Sequence, residues 1–109
     1  VAAWYQEELT GVVKTPKIKE ENESVWAQYT IRSSKQETII DHLKQKGIPT
    51  AIHYPIPLHK QEAFADLKGK DTDYPVSCKV SQEVFSLPMH PYLTKEQVKK
   101  ISESIKEIA

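Results

Sequence analysis

The chain opens with apolar residues at helical spacing. Ala2, Tyr5 and Leu9 fall on one side of a helix. The pattern ends before Gly11, and glycine is the expected helix terminator. This helix has no N-cap residue of its own, which favours a longer parent chain over a protein that has only lost its initiator methionine. Residues 14–24 are mostly polar and predict a solvated loop.

The next segments predict a strand, a helix and a second strand. Residues 25–32 are rich in aromatic and β-branched side chains and alternate in polarity, which is typical of a strand. Ser34 and Glu37 fit a capping box, in which each side chain accepts a hydrogen bond from the other residue's backbone N–H. The helix that they start should stop at Gly47. A short second strand is predicted over residues 50–54, before two prolines.

Shorter elements follow these prolines. Residues 58–67 predict a short helix, and the polar run 68–73 predicts a turn. Pro75 is expected at the first position of a further helix, with Val76 and Val80 on its apolar side.

The C-terminal residues predict a strand and a well-capped helix. Residues 84–87 are expected to form a third strand. Thr94 and Gln97 repeat the capping-box pattern, and Leu93 and Val98 are spaced as a hydrophobic staple. The closing helix carries an apolar stripe.

The order of these elements predicts an α+β fold, with a small antiparallel sheet of about three strands and helices packed on one face. A chain of 109 residues corresponds to one domain with a modest core. The predicted core residues are aromatic or aliphatic: Trp26, Tyr29, Ile39, Leu43, Ile52, Val98, Ile101 and Ile105.

Composition and charge exclude several classes of protein. Fifteen basic residues balance fifteen acidic ones, and no stripe of Lys and Arg marks a nucleic-acid binder. No apolar run is long enough to span a bilayer and no signal peptide is visible, so we expect a cytoplasmic protein without a membrane partner. Cys78 is the single cysteine, and we expect it to be a small buried hydrophobe rather than a nucleophile.

The strongest candidates for binding are His53 and Tyr54, at the end of the predicted second strand. Pro55 and Pro57 stiffen the exit of the chain from this strand. An imidazole and a phenol placed there present two hydrogen-bonding groups to an anionic or sugar ligand. The residues alone favour the alternative of a structural, half-buried His53 with Tyr54 in the core.

Other combinations of reactive residues are weaker. His53 and His59 could share a zinc ion, but two imidazoles fall short of the three or four ligands that zinc needs. Ser86 and His90 lie four residues apart. No acidic residue orients this pair and no oxyanion-hole motif surrounds it, so a hydrolase site is disfavoured.

Three segments together resemble a known family. They are Ser24–Tyr29, Gly47–His59 and Ser86–Pro91, and they stand in an order similar to that in the C-terminal domain of the DegT/StrS family of PLP-dependent sugar-nucleotide aminotransferases. The similarity runs from about Trp4 to the end of the chain, and the string His-Tyr-Pro-x-Pro-Leu-His at 53–59 is its most specific part. It is strongest for members that act on a UDP-linked 3-keto N-acetylhexosaminuronic acid.

The resemblance implies the C-terminal small domain of a fold-type-I aminotransferase that works as a homodimer. On this basis residues 1–12 are the tail of a helix from the large domain, 13–24 a polar loop and 25–109 the α+β domain. His53 and Tyr54 are then expected to bind the sugar substrate through its carboxylate.

The same resemblance implies pyridoxal 5′-phosphate (PLP) as the cofactor of the full-length enzyme and none in this segment, because no lysine here stands in the family's Schiff-base motif. The full-length enzyme would transfer an amino group from an amino-acid donor to a UDP-linked ketosugar for surface polysaccharide biosynthesis. We expect the segment alone to be inactive and to hold no metal. One alternative is a freestanding α+β ligand-sensing or interaction module without catalysis. Another is a regulatory relative of the enzyme in which the Schiff-base lysine is replaced.

Overall fold

The computed structural model describes all 109 residues. It contains four α-helices and two strands, here numbered in chain order: α1 (Ala2–Leu9), β1 (Tyr29–Arg32), α2 (Gln36–Gln45), α3 (Pro75–Ser81), β2 (Val84–Leu87) and α4 (Lys95–Lys106). Three 3₁₀ helices lie between α2 and α3: Leu58–Lys60, Glu62–Leu67 and Asp71–Asp73. None of the helices combines the length and the apolar character needed to cross a membrane.

The two strands form an antiparallel pair, in which Tyr29 lies opposite Leu87 and Ile31 opposite Phe85. These four side chains are buried, and the helices cover them, with α4 packed against both α1 and α2. Burial of one face of a small sheet under helices is the arrangement of an α+β domain, so the predicted fold class is confirmed. The buried core also includes Tyr5 and Leu9 of α1.

The third strand predicted over residues 50–54 is reduced to a single bridge. Ala51 exchanges both backbone hydrogen bonds with Ser86 of β2, at 3.1 and 2.7 Å. The pairing does not extend further, since Ile52 is already 38% exposed and Pro55 has no N–H to donate. Lys14 forms a similar single bridge with Arg32 on the free edge of β1.

The predicted core is largely confirmed. The six residues that are buried as expected are Tyr29, Ile39, Leu43, Val98, Ile101 and Ile105. Trp26 is only partly buried and packs against this cluster, and the assignment of Ile52 to the core is wrong. Ile52 lies beyond the bridge at Ala51, where no helix covers the chain.

The strand predicted from residue 25 begins only at Tyr29. Trp26 has a φ of +52°, in the left-handed region, and its N–H bonds to the Ser24 hydroxyl at 3.2 Å. This turn interrupts the extended backbone and leaves Val25 96% exposed. The alternation of polarity was therefore a correct signal for β1 but not for its first four residues.

The helix starts show one wrong and two correct predictions. The capping box of Ser34 and Glu37 does not form, because α2 begins at Gln36, whose side-chain amide donates to the Val84 carbonyl of β2 at 2.6 Å. In contrast, the reciprocal Thr94–Gln97 bonds are both present at the start of α4. Pro75 is also the first residue of α3, as expected.

Two expectations for the middle of the chain need correction. The apolar side assigned to α3 is not buried, since Val76 is exposed and Val80 is only partly buried. The helix predicted over residues 58–67 consists of two short 3₁₀ helices separated at Gln61. No helix or strand of the core packs closely against these residues, so packing does not favour a regular α-helix here.

Candidate functional site

An open cleft of about 330 Å³ lies beside β2, where the bridge segment and the two strand ends meet. Its lining residues come from three stretches of chain: Ala27, Gln28, Pro49, Thr50, Ala51, His53, Ser86, Leu87, Pro88 and Met89. Successive strand residues point to opposite faces of a sheet. Thr30 and Ser86 therefore face away from the buried pairs, and their hydroxyls share a hydrogen bond of 2.8 Å.

The end of α2 places the bridge segment against the sheet. Gly47 has a φ of +72°, and its N–H bonds to the carbonyl of Lys44, while the Ile48 N–H bonds to the carbonyl of Leu43 at 2.9 Å. This pair of bonds is a Schellman motif, which confirms the predicted stop at Gly47. Ile48 is buried in the core, so the chain leaves the helix in a fixed direction towards Ala51.

The part of the cleft formed by Pro88 and Met89 is held in place by a pair of buried tyrosines. Tyr5 of α1 stacks on Tyr29 of β1 with ring centroids 4.9 Å apart, and its hydroxyl donates to the Pro88 carbonyl at 2.9 Å. Burial raises the pKa of Tyr29 to about 12, and burial also raises the pKa of Tyr5. Both phenols are therefore neutral hydrogen-bonding groups at physiological pH, and the one on Tyr5 anchors the Pro88–Met89 turn.

His53 lines this cleft and is exposed, and Tyr54 is 81% exposed on the next position of the chain. Both residues are exposed, so the alternative of a half-buried His53 with Tyr54 in the core is wrong. Both rings are free to meet a ligand from solvent. Their role in binding a sugar stays a prediction.

The chemistry available in the cleft is recognition rather than catalysis. Gln28, Thr50 and His53 offer hydrogen-bonding side chains, and no carboxylate or lysine lines the cleft. Ser86 bonds to Thr30, while the His90 ring lies beside Tyr92, so the two residues do not form a hydrolase pair.

The cleft beside His53 has no lysine among its lining residues that could form a Schiff base with PLP. A Schiff-base lysine must reach a pocket that also holds the pyridine ring. Every lysine of the chain is exposed, and none lines the cleft beside His53.

The sequence reasoning missed one cluster of reactive side chains. Cys78 is partly exposed, rather than a buried hydrophobe, and its Sγ lies 3.6 Å from Nε2 of His59. Asp71 bonds to the same nitrogen at 2.9 Å. These residues lie 12 and 7 positions apart and match no metal or catalytic motif, so no local signal could have found them.

A two-stranded sheet covered by helices on one side, with an open cleft at its edge, defines a small α+β domain. Comparison with known proteins assigns this domain to a family. The sequence model of the DegT/DnrJ/EryC1/StrS aminotransferase family matches residues 1–106. The chain therefore belongs to this aminotransferase family, which confirms the family expected from the three sequence segments.

Individual relatives agree with this assignment. The chain is 50% identical over 102 residues to a UDP-2-acetamido-2-deoxy-3-oxo-D-glucuronate aminotransferase of Pseudomonas aeruginosa, covering 93% of this chain and 28% of that protein. The structure of a DegT/DnrJ/EryC1/StrS aminotransferase from Brucella abortus superimposes with a TM-score of 0.86 and 38% identity, over 97% of this chain and 28% of the other. The PLP form of Spr1654 from Streptococcus pneumoniae gives a TM-score of 0.83 and 28% identity, with coverages of 96% and 28%.

The three proteins differ in their identity to this chain but are each covered to the same extent. The chain spans a little more than a quarter of the length of each of these proteins. The family is one of PLP-dependent aminotransferases.

Proposed function

We propose that this chain is the C-terminal, substrate-binding segment of a PLP-dependent aminotransferase that aminates a UDP-linked 3-keto sugar acid. The observation that carries the proposal is the 50% identity to the Pseudomonas aeruginosa enzyme, whose substrate is a UDP-linked 3-oxo-glucuronate. The proposal extends to the amino-acid donor, the surface-polysaccharide product and the homodimer implied by the sequence resemblance.

His53 and Tyr54 hold the sugar in this proposal. His53 stands at the mouth of a cleft whose other polar groups are uncharged, so a carboxylate there has no anionic neighbour to repel it. An imidazole N–H and a phenol O–H both donate hydrogen bonds to a carboxylate, and bonds to a charged acceptor are the stronger kind. A 3-oxo-uronic acid carries such a carboxylate on its ring.

The catalytic lysine lies outside this chain in this proposal. Support comes from the exposure of all its lysines and from the short share of the relatives' length that the chain spans. PLP, when bound in the complete enzyme, supplies the electron sink for amino transfer. The residues of this chain contribute recognition and orientation of the sugar at one wall of the site.

The test uses the complete enzyme that contains this segment. His53→Asn and Tyr54→Phe should each raise the KM for the UDP-linked 3-keto uronic acid by about tenfold or more, the effect of losing a hydrogen bond to a charged group. PLP loading, read from the cofactor's absorbance, should not change. Unchanged KM values in both variants would remove these residues from the sugar site.

Matched controls separate binding from stability. Tyr92→Phe removes a phenol from an equally exposed position outside the cleft, and His42→Asn removes an imidazole from α2. Both should leave the KM unchanged. A coding sequence without a PLP-binding domain on the same polypeptide would instead support the freestanding binding module.

A further inference from the structure

The segment 52–77 is held to the rest of the molecule by few contacts. No residue in it is buried, and its regular structure is limited to 3₁₀ turns and the start of α3. One side chain departs from this pattern, since the imidazole of His59 is only 7% exposed. The His59 ring lies beside the ring of Tyr74, with 4.8 Å between the two centroids. Gly69 packs on its other side so closely that a Cβ added there would lie 3.0 Å from the Cβ of His59.

Three metal-ligating atoms meet at this enclosed imidazole. Nε2 of His59 is 2.9 Å from Oδ1 of Asp71 and 3.6 Å from Sγ of Cys78. All three atoms lie within 4.8 Å of one another. They come from three separate elements, two of the 3₁₀ helices and α3, so the arrangement is a product of the fold.

The three side chains share their hydrogen bonds, and the Cys78 thiol also lies 3.9 Å from the backbone carbonyl of Asp71. Nε2 carries either a proton, which it donates to Asp71, or a lone pair, which accepts from the Cys78 thiol. It cannot serve both neighbours at once. A cation between the three atoms interacts favourably with the nitrogen, the carboxylate oxygen and the sulfur together.

We propose that His59, Asp71 and Cys78 form a Zn²⁺ site with a fourth position open to water. Zn–N and Zn–S bonds of about 2.0 and 2.3 Å place tetrahedral nitrogen and sulfur ligands about 3.5 Å apart. This spacing is close to the 3.6 Å between His59 and Cys78. The carboxylate oxygen of Asp71, which is exposed, has to move towards the sulfur, since the three atoms lie up to 4.8 Å apart and zinc needs an O···S spacing of about 3.5 Å.

The surroundings suit this ion. A thiolate, an imidazole and a carboxylate together favour zinc over magnesium or calcium, which prefer oxygen ligands. Lys60 bonds to Oδ2 of Asp71 at 2.8 Å, which orients the carboxylate and leaves Oδ1 for the metal. Asp71 is exposed, so the ion has a path from solvent, and the thiol releases its proton to water on binding.

A zinc ion here would fasten the segment that leaves the sugar cleft. The three ligands join two 3₁₀ helices to α3, in a region without a hydrophobic core of its own. Metal ligands are a common substitute for apolar burial in small structural units. This inference does not depend on the sugar-binding role of His53 and Tyr54.

The first experiment titrates Co²⁺ into the chain, prepared without a histidine tag and shown to be folded by circular dichroism. We expect one Co²⁺ per chain, with a sulfur-to-cobalt charge-transfer band in the near ultraviolet and the visible bands of a tetrahedral site. Cys78→Ser should abolish the charge-transfer band, and Asp71→Asn and His59→Asn should weaken binding by about tenfold or more. His42→Asn, which removes an imidazole from α2, is the matched control and should bind as the parent does.

The second experiment measures the reaction of Cys78 with a thiol reagent. Since this is the only cysteine, its alkylation rate reports on the site directly. Added Zn²⁺ should slow the reaction by about tenfold or more in the parent and in His42→Asn, and should have little effect in Asp71→Asn. Absence of the charge-transfer band in a folded chain would overturn the proposal, as would a band that Asp71→Asn and His59→Asn both leave unchanged.

Discussion

Two regions of this molecule are built in different ways. The strands, α1, α2 and α4 share one continuous core, whose fourteen hydrophobic residues all lie outside the segment 52–77. That segment instead exposes many of its large apolar side chains: Ile52, Tyr54, Ile56, Leu58, Phe64, Leu67, Tyr74 and Val76. Packing therefore fixes the first region, whereas prolines, 3₁₀ turns and polar contacts shape the second.

This difference explains where the candidate chemistry lies. Buried polar side chains of the core region mostly bond within it, as Tyr5 and Ser86 show, and Ser102 of α4 is the exception. The exposed segment carries His53, Tyr54 and the cluster around His59, whose polar groups face solvent or one another. A rigid scaffold that presents reactive residues on less constrained segments is a common arrangement in binding proteins.

The largest difference between the two regions is expected when one leucine in each is replaced by alanine. Leu43 is fully buried on α2, and Leu67 is 72% exposed. We expect Leu43→Ala to lower the free energy of unfolding by about 2–5 kcal/mol, because it removes buried methyl groups and leaves a cavity. Leu67→Ala should change it by less than about 0.5 kcal/mol. Urea unfolding followed by circular dichroism measures both, and equal losses would contradict a core confined to the first region.

The second-largest effect is expected at alkaline pH, which should lower the free energy of unfolding through the core residue Tyr29. Burial raises the pKa of Tyr29 from 10.0 to about 12, so the folded protein keeps the phenol proton at pH values at which the unfolded chain has lost it. The stabilisation is complete below pH 10 and is lost as the pH rises towards 12. Urea unfolding at intervals across this range should show a falling free energy of unfolding. In Tyr29→Phe the fall should be shallower, and an identical slope would exclude this phenol as a cause.

A pair of tyrosine variants tests the cleft wall with a smaller effect. Tyr5 donates a hydrogen bond to the Pro88 carbonyl, whereas Tyr54 is exposed. Tyr5→Phe should cost about 1 kcal/mol of stability, because it leaves a carbonyl oxygen without its partner. Tyr54→Phe should leave stability within about 0.5 kcal/mol of the parent. If thermal unfolding shows the reverse order, Tyr54 has a structural role that its exposure does not indicate.

The smallest effect is expected at a helix start. Thr94→Ala removes the N-cap hydroxyl that accepts the Gln97 N–H, and should lower the free energy of unfolding by about 1 kcal/mol or slightly less. Thr72 lies in a 3₁₀ turn of the exposed segment and serves as its matched control. Thr72→Ala should have no measurable effect on the unfolding midpoint in urea. A larger loss at Thr72 would show that the turn contributes to the cooperative unit.

The sequence alone determined the features that depend on neighbours a few residues away. The capping residues of α4, the stop at Gly47, the proline start of α3 and the paired segment 84–87 are all local choices of backbone conformation or periodicity. The family could also be recognised, because its motifs are short strings of residues. His53 and Tyr54 belong to one such string, and the structure leaves them exposed as a binding role requires.

Only the tertiary structure decided what depends on distant contacts. The side chain of Gln36 bonds to the carbonyl of Val84, 48 residues away. Helix α2 therefore starts at Gln36 and not with the capping box predicted at Ser34. Ala51 pairs with Ser86 of β2, but the residues after Ala51 have no strand to pair with. The predicted third strand is therefore reduced to a single bridge. Asp71 and Cys78 meet His59 only because the chain turns back between them, and no local energy term links such positions.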